Sequence, residues 1–258
     1  MLIGYNQATS IKHSSLEKDV MLSKKHGFDG LEVQKPLLDK YMETHTYEDL
    51  HTLFASNGVK ALPVNAFCDF NLKREGSMQQ LDYLCRCAAA AGAEALILVP
   101  ALCDISPERT IEAIQGYVPA AARYGVKLAL EFLGFAESSV RSLETAGAIA
   151  EKAGVGLVLD CAHIMGGTTN PASILALKPE QIITVHINDL NRKLSGIYSD
   201  SDRVWPGDGN MALAEILGNL RTIGYDGLFS VELFNEDYWE WPDDEIYKTA
   251  MQKTRAVL

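Results

Sequence analysis

Basic residues are in short supply in this 258-residue chain: 23 Lys and Arg stand against 34 Asp and Glu, a formal net charge of −11. A phosphate backbone needs a basic groove to hold it, so this balance argues against a nucleic-acid partner. No run of about 18 apolar residues occurs, so no membrane-spanning helix is expected. The start, MLIGYNQ, is strand-like and has no basic stretch leading into a long apolar segment. No export signal is therefore expected, and the cytoplasm is the expected location. The cysteines, Cys68, Cys85, Cys87, Cys103 and Cys161, are odd in number and form no disulfide framework, which suits reduced thiols. Cys85 and Cys87 lie two apart in the helical-looking MQQLDYLCRCAAAA, and such positions do not face each other, which argues against a CxC metal site. A Gly-rich GxGxxG turn after the first strand is also missing, and that counts against a doubly wound dinucleotide-binding sheet, the main rival architecture.

What the chain does have is a repeated phrase: an amphipathic helix, a Gly that ends it, then a short apolar strand. Gly27, Gly58, Gly92, Gly125, Gly154 and Gly224 fall where a helix C-cap favours positive φ. Alternation of this kind implies a parallel α/β sheet. The expected strands are Leu2 to Tyr5, Gly30 to Val33, Lys60 to Asn65, Ala95 to Val99, Lys127 to Glu131, Gly156 to Asp160, Ile183 to Ile187 and Leu228 to Glu232. Helices are expected over Leu16 to His26, Tyr47 to Ser56, Met78 to Ala91, Pro107 to Tyr124, Leu143 to Ala153, Ala172 to Leu177, Ala212 to Ile223 and Asp244 to Ala256. Thr46 with Asp49 resembles a capping box, and Ser106-Pro107 supplies an N-cap followed by Pro at the first helical position. Eight such units close a (β/α)8 TIM barrel, for which roughly 250 residues is typical, and one catalytic domain over residues 1–258 is expected.

Four of these strands end alike. Glu131, Asp160, His186 and Glu232 close or nearly close the runs KLALE, GLVLD, ITVH and FSVE. In a closed parallel barrel such ends converge on one rim, where these folds place their chemistry. Steps of 29, 26 and 46 residues separate them. A strand with its return helix needs about 30 residues, so the last step carries an excess, which lies in the Ser-, Asp- and Gly-rich loop from Asn191 to Asn210. Any one of the four taken alone reads as a polar residue at a strand end. All four in register on strands five to eight read as a mononuclear metal site. Three carboxylates and an imidazole suit one hard divalent ion, Mn²⁺ first, with Mg²⁺, Co²⁺ and Zn²⁺ as further candidates. A buried carboxylate cluster without a cation would carry heavy desolvation and repulsion costs.

The segments LALEFLG, LVLDCAHIMGG, VHINDL, DRVWPGDGN and FSVELFNEDYW resemble the sugar phosphate isomerase/epimerase family with the xylose isomerase-like barrel, and its inosose isomerase branch in particular. The resemblance spans nearly the whole chain and is most specific from Glu131 onward. It implies that Glu131, Asp160, His186 and Glu232 bind the metal, and that His163 in DCAH and Arg203 in DRVWPGDG contact substrate. It also implies proton transfer next to a carbonyl through an enediolate, with Glu131 and Glu232 as the catalytic pair on opposite sides of the substrate. No organic cofactor is called for.

Weaker candidates for substrate contact are Glu32, which ends the second strand in DGLEVQ, Asn65, which ends the third in LPVNAF, and Trp205. Trp239 and Trp241 read equally well as packing of the last loop, while His13, His26, His45 and His51 read as structural or solvated. The expected substrate is a small sugar, inosose or related polyol, and a homo-oligomer is compatible with the sequence. A ketose 3-epimerase, a hydroxypyruvate-type isomerase or a 3-dehydroshikimate dehydratase would use almost the same constellation. A DNA-cleaving relative of the endonuclease IV type would need further His ligands and a less acidic surface. A non-catalytic binding protein that merely kept the barrel is the remaining alternative.

Overall fold

Side chains alternate faces along a strand, so every second residue of a barrel strand points inward. The computed structural model describes residues 1–258 and contains all eight expected strands. They are β1 (Leu2–Asn6), β2 (Gly30–Gln34), β3 (Lys60–Cys68), β4 (Ala95–Val99), β5 (Lys127–Glu131), β6 (Gly156–Asp160), β7 (Ile182–Ile187) and β10 (Leu228–Val231). The order β1-β10-β7-β6-β5-β4-β3-β2 closes a barrel whose pairs are all parallel. Two further strands, β8 (Asp189–Leu190) and β9 (Arg203–Val204), form a small antiparallel ribbon after β7.

The alternation divides the molecule into two apolar regions. Outward residues such as Leu128, Leu130, Leu157, Leu159, Val185 and Val231 join the large core between sheet and helices. Inside the barrel Ala66, Ile97, Ala129 and Val158 form a separate small plug. Small residues are needed at the floor: a Cβ on Gly30 would lie 2.7 Å from Cγ of Leu62. Because both faces of each strand are covered, the strands read as continuous apolar runs. Above the plug the inward positions turn polar, and that layer is the site.

The helices follow the expected phrase. They are α1 (Leu16–His26), α2 (Lys35–Met42), α3 (Tyr47–Asn57), α4 (Ser77–Ala91), α5 (Pro107–Ala122), α6 (Leu143–Ala153), α7 (Cys161–Gly166), α8 (Leu213–Thr222) and α9 (Asp243–Val257). All six expected capping glycines have positive φ. The Thr46–Asp49 capping box forms, and Ser106 accepts from the Arg109 N–H at the start of α5. The helix expected over Ala172 to Leu177 is instead a 3₁₀ turn, Pro171–Ala176, N-capped by Asn170. Two helices were not expected. α2 follows β2 directly, and α7 is a short helix whose N-cap is Asp160 itself.

Candidate metal centre

Glu131 and Asp160 end β5 and β6, His186 is the last inward residue of β7, and Glu232 follows β10. The register sets Asp160 and Ser230 beside His186 on either side. One ligating atom from each of Glu131, Asp160, His186 and Glu232 lies within 4.8 Å of the others, and all four residues are buried. Nδ1 of His186 is the nitrogen that faces this cluster, 2.9 Å from Oε1 of Glu131, 3.1 Å from Oε2 of Glu232 and 3.7 Å from Oδ2 of Asp160.

Each carboxylate is oriented by its own hydrogen-bond partners. Oδ1 of Asp160 accepts the His163 N–H at 3.0 Å, capping α7, which leaves Oδ2 for the cluster. That oxygen also accepts from Nδ2 of Asn188 at 3.1 Å. Oε1 of Glu232 accepts from Asn6 and Asn65 at 2.8 and 3.1 Å, so its Oε2 is the oxygen turned inward. Glu131 is bound through Oε1 to His186, and no side chain donates to its Oε2.

Arg203 enters from the ribbon. Asp189 on β8 accepts the N–H groups of Gly207 and Gly209, which folds the PGDG turn back and anchors β9. The guanidinium is 2% exposed, with Nη1 2.7 Å from both Asp160 Oδ2 and Glu232 Oε2 and Nη2 2.6 Å from Asp200 Oδ1. Nη2 also makes a long, 3.4 Å contact with Nε2 of His163. A guanidinium only donates, so Nε2 is the accepting nitrogen of that imidazole. The carbonyl of His163 is enclosed by Gly134 and Gly167; a Cβ on Gly134 would approach it to 2.5 Å, so a larger residue there would push the β5 loop off α7.

Burial pushes the Glu131 carboxyl up to about 7, against the pull of His186. Burial opposes ionisation of Asp160 too, but Arg203 and the two imidazoles outweigh it and hold this carboxyl well below its usual range. For His186 burial favours the neutral ring, yet Glu232, Glu32 and Glu131 together raise it well above the ordinary imidazole value. His163 is pushed down to about 4, mainly by burial, and is neutral at physiological pH.

The residues fit a divalent cation. Four buried carboxylates, Glu32, Glu131, Asp160 and Glu232, surround His186, and the one buried guanidinium, that of Arg203, reaches only Asp160 and Glu232 among them. Oε2 of Glu32 is buried without any partner. Such an excess of buried negative charge is costly unless a cation or protons offset it, and the oxygen-rich donor set with one imidazole suits a hard or borderline divalent ion.

The other residues singled out from the sequence occupy different surroundings. Glu32 is fully buried behind His186, accepting from its Nε2 at 2.9 Å and from Asn6 and Asn65 at 2.8 and 3.0 Å. Asn65 bridges Glu32 and Glu232. Trp205 is 2% exposed and stacks on Tyr238 with centroids 4.7 Å apart, while Trp241 leans on the same pair. The indole N–H of Trp239 donates to the Ala8 carbonyl. His26 pairs with Asp244, and His45 stacks on Tyr41. Sequence reasoning passed over Asn6, Gln34 and Asn188. The period-two alternation could have found them, since Asn6 follows inward Gly4, Gln34 follows Glu32, and Asn188 follows His186, each by two positions. A cavity of about 680 Å³ lies at the opposite, N-terminal face of the barrel, beside Leu2, Lys60, Ile183 and Leu228; it holds none of these ligating groups.

Residues 20–257 match the model of a family described as the xylose isomerase-like TIM barrel. The chain belongs to that family. It is 31% identical to the inosose isomerase of Halalkalibacterium halodurans, over 100% of this chain and 96% of that enzyme. Among solved structures, a 1.8 Å crystal structure of the IOLI protein with a bound zinc atom superposes with a TM-score of 0.94 at 30% identity, covering 100% of this chain and 98% of that one. A more distant likeness, 28% identity over 82% of this chain and 35% of the relative, is to the 3-dehydroshikimate dehydratase of Pseudomonas aeruginosa. Full-length likeness to several inosose isomerases makes this family member an isomerase.

Proposed function

We propose that the chain interconverts a keto-sugar or cyclic keto-polyol, an inosose first, with its isomer by proton transfer beside the carbonyl. The observation that carries this is the convergence of Glu131, Asp160, His186 and Glu232 within 4.8 Å at four strand ends. These four would hold one divalent ion. A bound ion there would supply Lewis-acid polarisation of the substrate's carbonyl and neighbouring hydroxyl oxygens. Hardness of the donors favours Mn²⁺, and the zinc of the similar crystal structure makes Zn²⁺ the second metal to test.

Glu131 and Glu232 are the proton-transferring pair in this reading. Oε2 of Glu131 is free of side-chain donors, which leaves it available to take up and return a proton. Glu232 is steadied through Oε1 by two amides, and its Oε2 turns toward the reacting centre. Arg203 and neutral His163, side by side near Asp160, would hydrogen-bond the substrate's oxygens and fix its orientation. The five free cysteines and the absence of any helix long and apolar enough to cross a membrane fit the cytoplasmic reading.

A deuterium-exchange screen over inososes, ketohexoses and 3-dehydroshikimate in D₂O, with Mn²⁺ or Zn²⁺ supplied, tests the reading. Solvent deuterium entering an inosose as its isomer forms is the expected result. Loss of water from dehydroshikimate would select the dehydratase reading, which the likeness to the Pseudomonas enzyme favours as the alternative. Metal uptake without exchange into any of them would leave a binding protein.

A further inference from the structure

The candidate ligands come from β5, β6, β7 and the end of β10, whereas the first three strands supply no ligand and instead converge on one carboxylate oxygen. Oε1 of Glu32 accepts from His186 Nε2 at 2.9 Å, Asn6 Nδ2 at 2.8 Å and Asn65 Nδ2 at 3.0 Å. The same two amides also reach Oε1 of Glu232. We propose that Glu32, with Asn6 and Asn65, is a positioning unit that fixes His186 as its Nε2–H tautomer and turns Nδ1, together with Oε2 of Glu232, toward the bound cation. This deepens the metal reading above and rests on it.

The orientation of each group follows from its partners. Carboxylates only accept and face both ring nitrogens, so it is the cation that separates them: with a cation in place of the proton on Nδ1, the nitrogen facing Glu131, Asp160 and Glu232, the ring's one remaining proton is on Nε2 and is donated to Glu32. The amide of Asn6 is fixed in the same way. Its Oδ1 accepts from the Ala8 N–H and from Gln34 Nε2, both at 2.9 Å, so its NH₂ must face the carboxylates. Glu32 is fully buried and lies on the far side of the His186 ring from the ligand cluster. Partners of this kind on the second nitrogen of a ligating His hold the ring and raise its basicity, and losing them typically costs about 10- to 100-fold in metal affinity.

Glu32→Gln keeps an accepting oxygen and removes the charge, while Glu32→Leu removes both. Metal-stripped full-length protein is titrated with Zn²⁺ against a chromophoric chelator, and the His186 tautomer is read by ¹⁵N NMR of the histidine-labelled, zinc-loaded protein. Wild type should show a bare, metal-bound Nδ1 and a protonated Nε2. Affinity should fall by about 10- to 100-fold in Glu32→Leu, with the Nε2–H signature lost, and by less in Glu32→Gln, with the signature kept. If Glu32→Leu does not fold, Asn65→Ala joins Glu32→Gln, and both should bind Zn²⁺ more weakly. Wild-type affinity and tautomer in the variants would overturn the assignment of Glu32 and leave the metal site standing. A wild-type chain that takes up no Zn²⁺ or Mn²⁺ would instead sink the metal reading itself.

Discussion

The guanidinium of Arg203 rests 2.7 Å from Oδ2 of Asp160, so the loop after β7 places its positive charge inside the barrel. The same nitrogen reaches Glu232, and removing it takes the guanidinium charge from two buried carboxylates. Breaking such a buried pair costs about 3 to 5 kcal/mol. Arg203→Leu should lower the urea stability of the metal-free protein by that order, and saturating Zn²⁺ should restore part of it. Arg203→Lys keeps the charge but loses the planar fork, so turnover should fall while metal content stays near one ion per chain. Wild-type kinetics in Arg203→Lys would return this residue to a purely structural role.

Metal uptake should depend on pH, with a sign that the site dictates. In the metal-free protein burial raises Glu131 to about 7, and the surrounding carboxylates hold His186 well above its ordinary value. A ligand must shed its proton to bind metal, so binding releases protons and affinity rises with pH. Below pH 7 each proton displaced should weaken binding by about tenfold per pH unit. Calorimetry in buffers of different ionisation enthalpy would count those protons; an affinity flat between pH 6 and 8 would show that Glu131 and His186 are already deprotonated there.

Glu131→Gln and Glu232→Gln separate ligation from proton transfer, because the amide keeps an oxygen but accepts no proton. General acid-base work is worth about 10² to 10⁴ in rate, and each variant should lose turnover of that order while retaining metal at reduced affinity. If the two carboxylates serve opposite sides of the substrate, one variant should still exchange a substrate proton with D₂O while completing no isomerisation. Full turnover with metal retained in both would assign the proton transfer to other groups.

Away from the site, Asp19 lies buried on α1, where Oδ2 accepts from Gln7 at 2.6 Å and Oδ1 has no partner. Burial raises its carboxyl to about 6 from 3.8. The folded state therefore favours the protonated form; this contribution is whole below about pH 4 and is lost as pH rises through 6. Two pKa units correspond to about 3 kcal/mol. Asp19→Asn should gain stability relative to wild type by up to that order between pH 4 and pH 7.5, as read from urea midpoints. A wild-type and variant difference that does not change with pH would show that Asp19 stays ionised in the fold.

Removing His186 tests the centre as a whole. His186→Ala takes away the only nitrogen donor and leaves the carboxylates around a void. Elemental analysis of the purified variant should show metal occupancy well below wild type, and unchanged occupancy would displace His186 from the ligand set.

Much of this architecture was legible in the chain alone, because local chemistry produced it. The glycine caps, the Thr46 and Ser106 N-caps and the apolar runs are short-range signals, and they marked all eight barrel strands and most helices. Four ligating residue types at the ends of successive runs likewise placed Glu131, Asp160, His186 and Glu232 on one rim, since parallel strands leave few other arrangements. Tertiary structure alone decided which oxygen or nitrogen each presents. Asp160 caps α7 with one oxygen and faces the cluster with the other, a division that depends on a six-residue helix with too weak a periodic signal to read. The place of Glu32 and Asn65 was likewise decided by the fold: β2 and β3 close against β1, which sets Glu32 against Nε2 of His186 and Asn65 between Glu32 and Glu232. Strand order and sheet closure bring Asn6 within 2.8 Å of Glu232, across 226 residues of chain, and no local pattern encodes a contact of that kind.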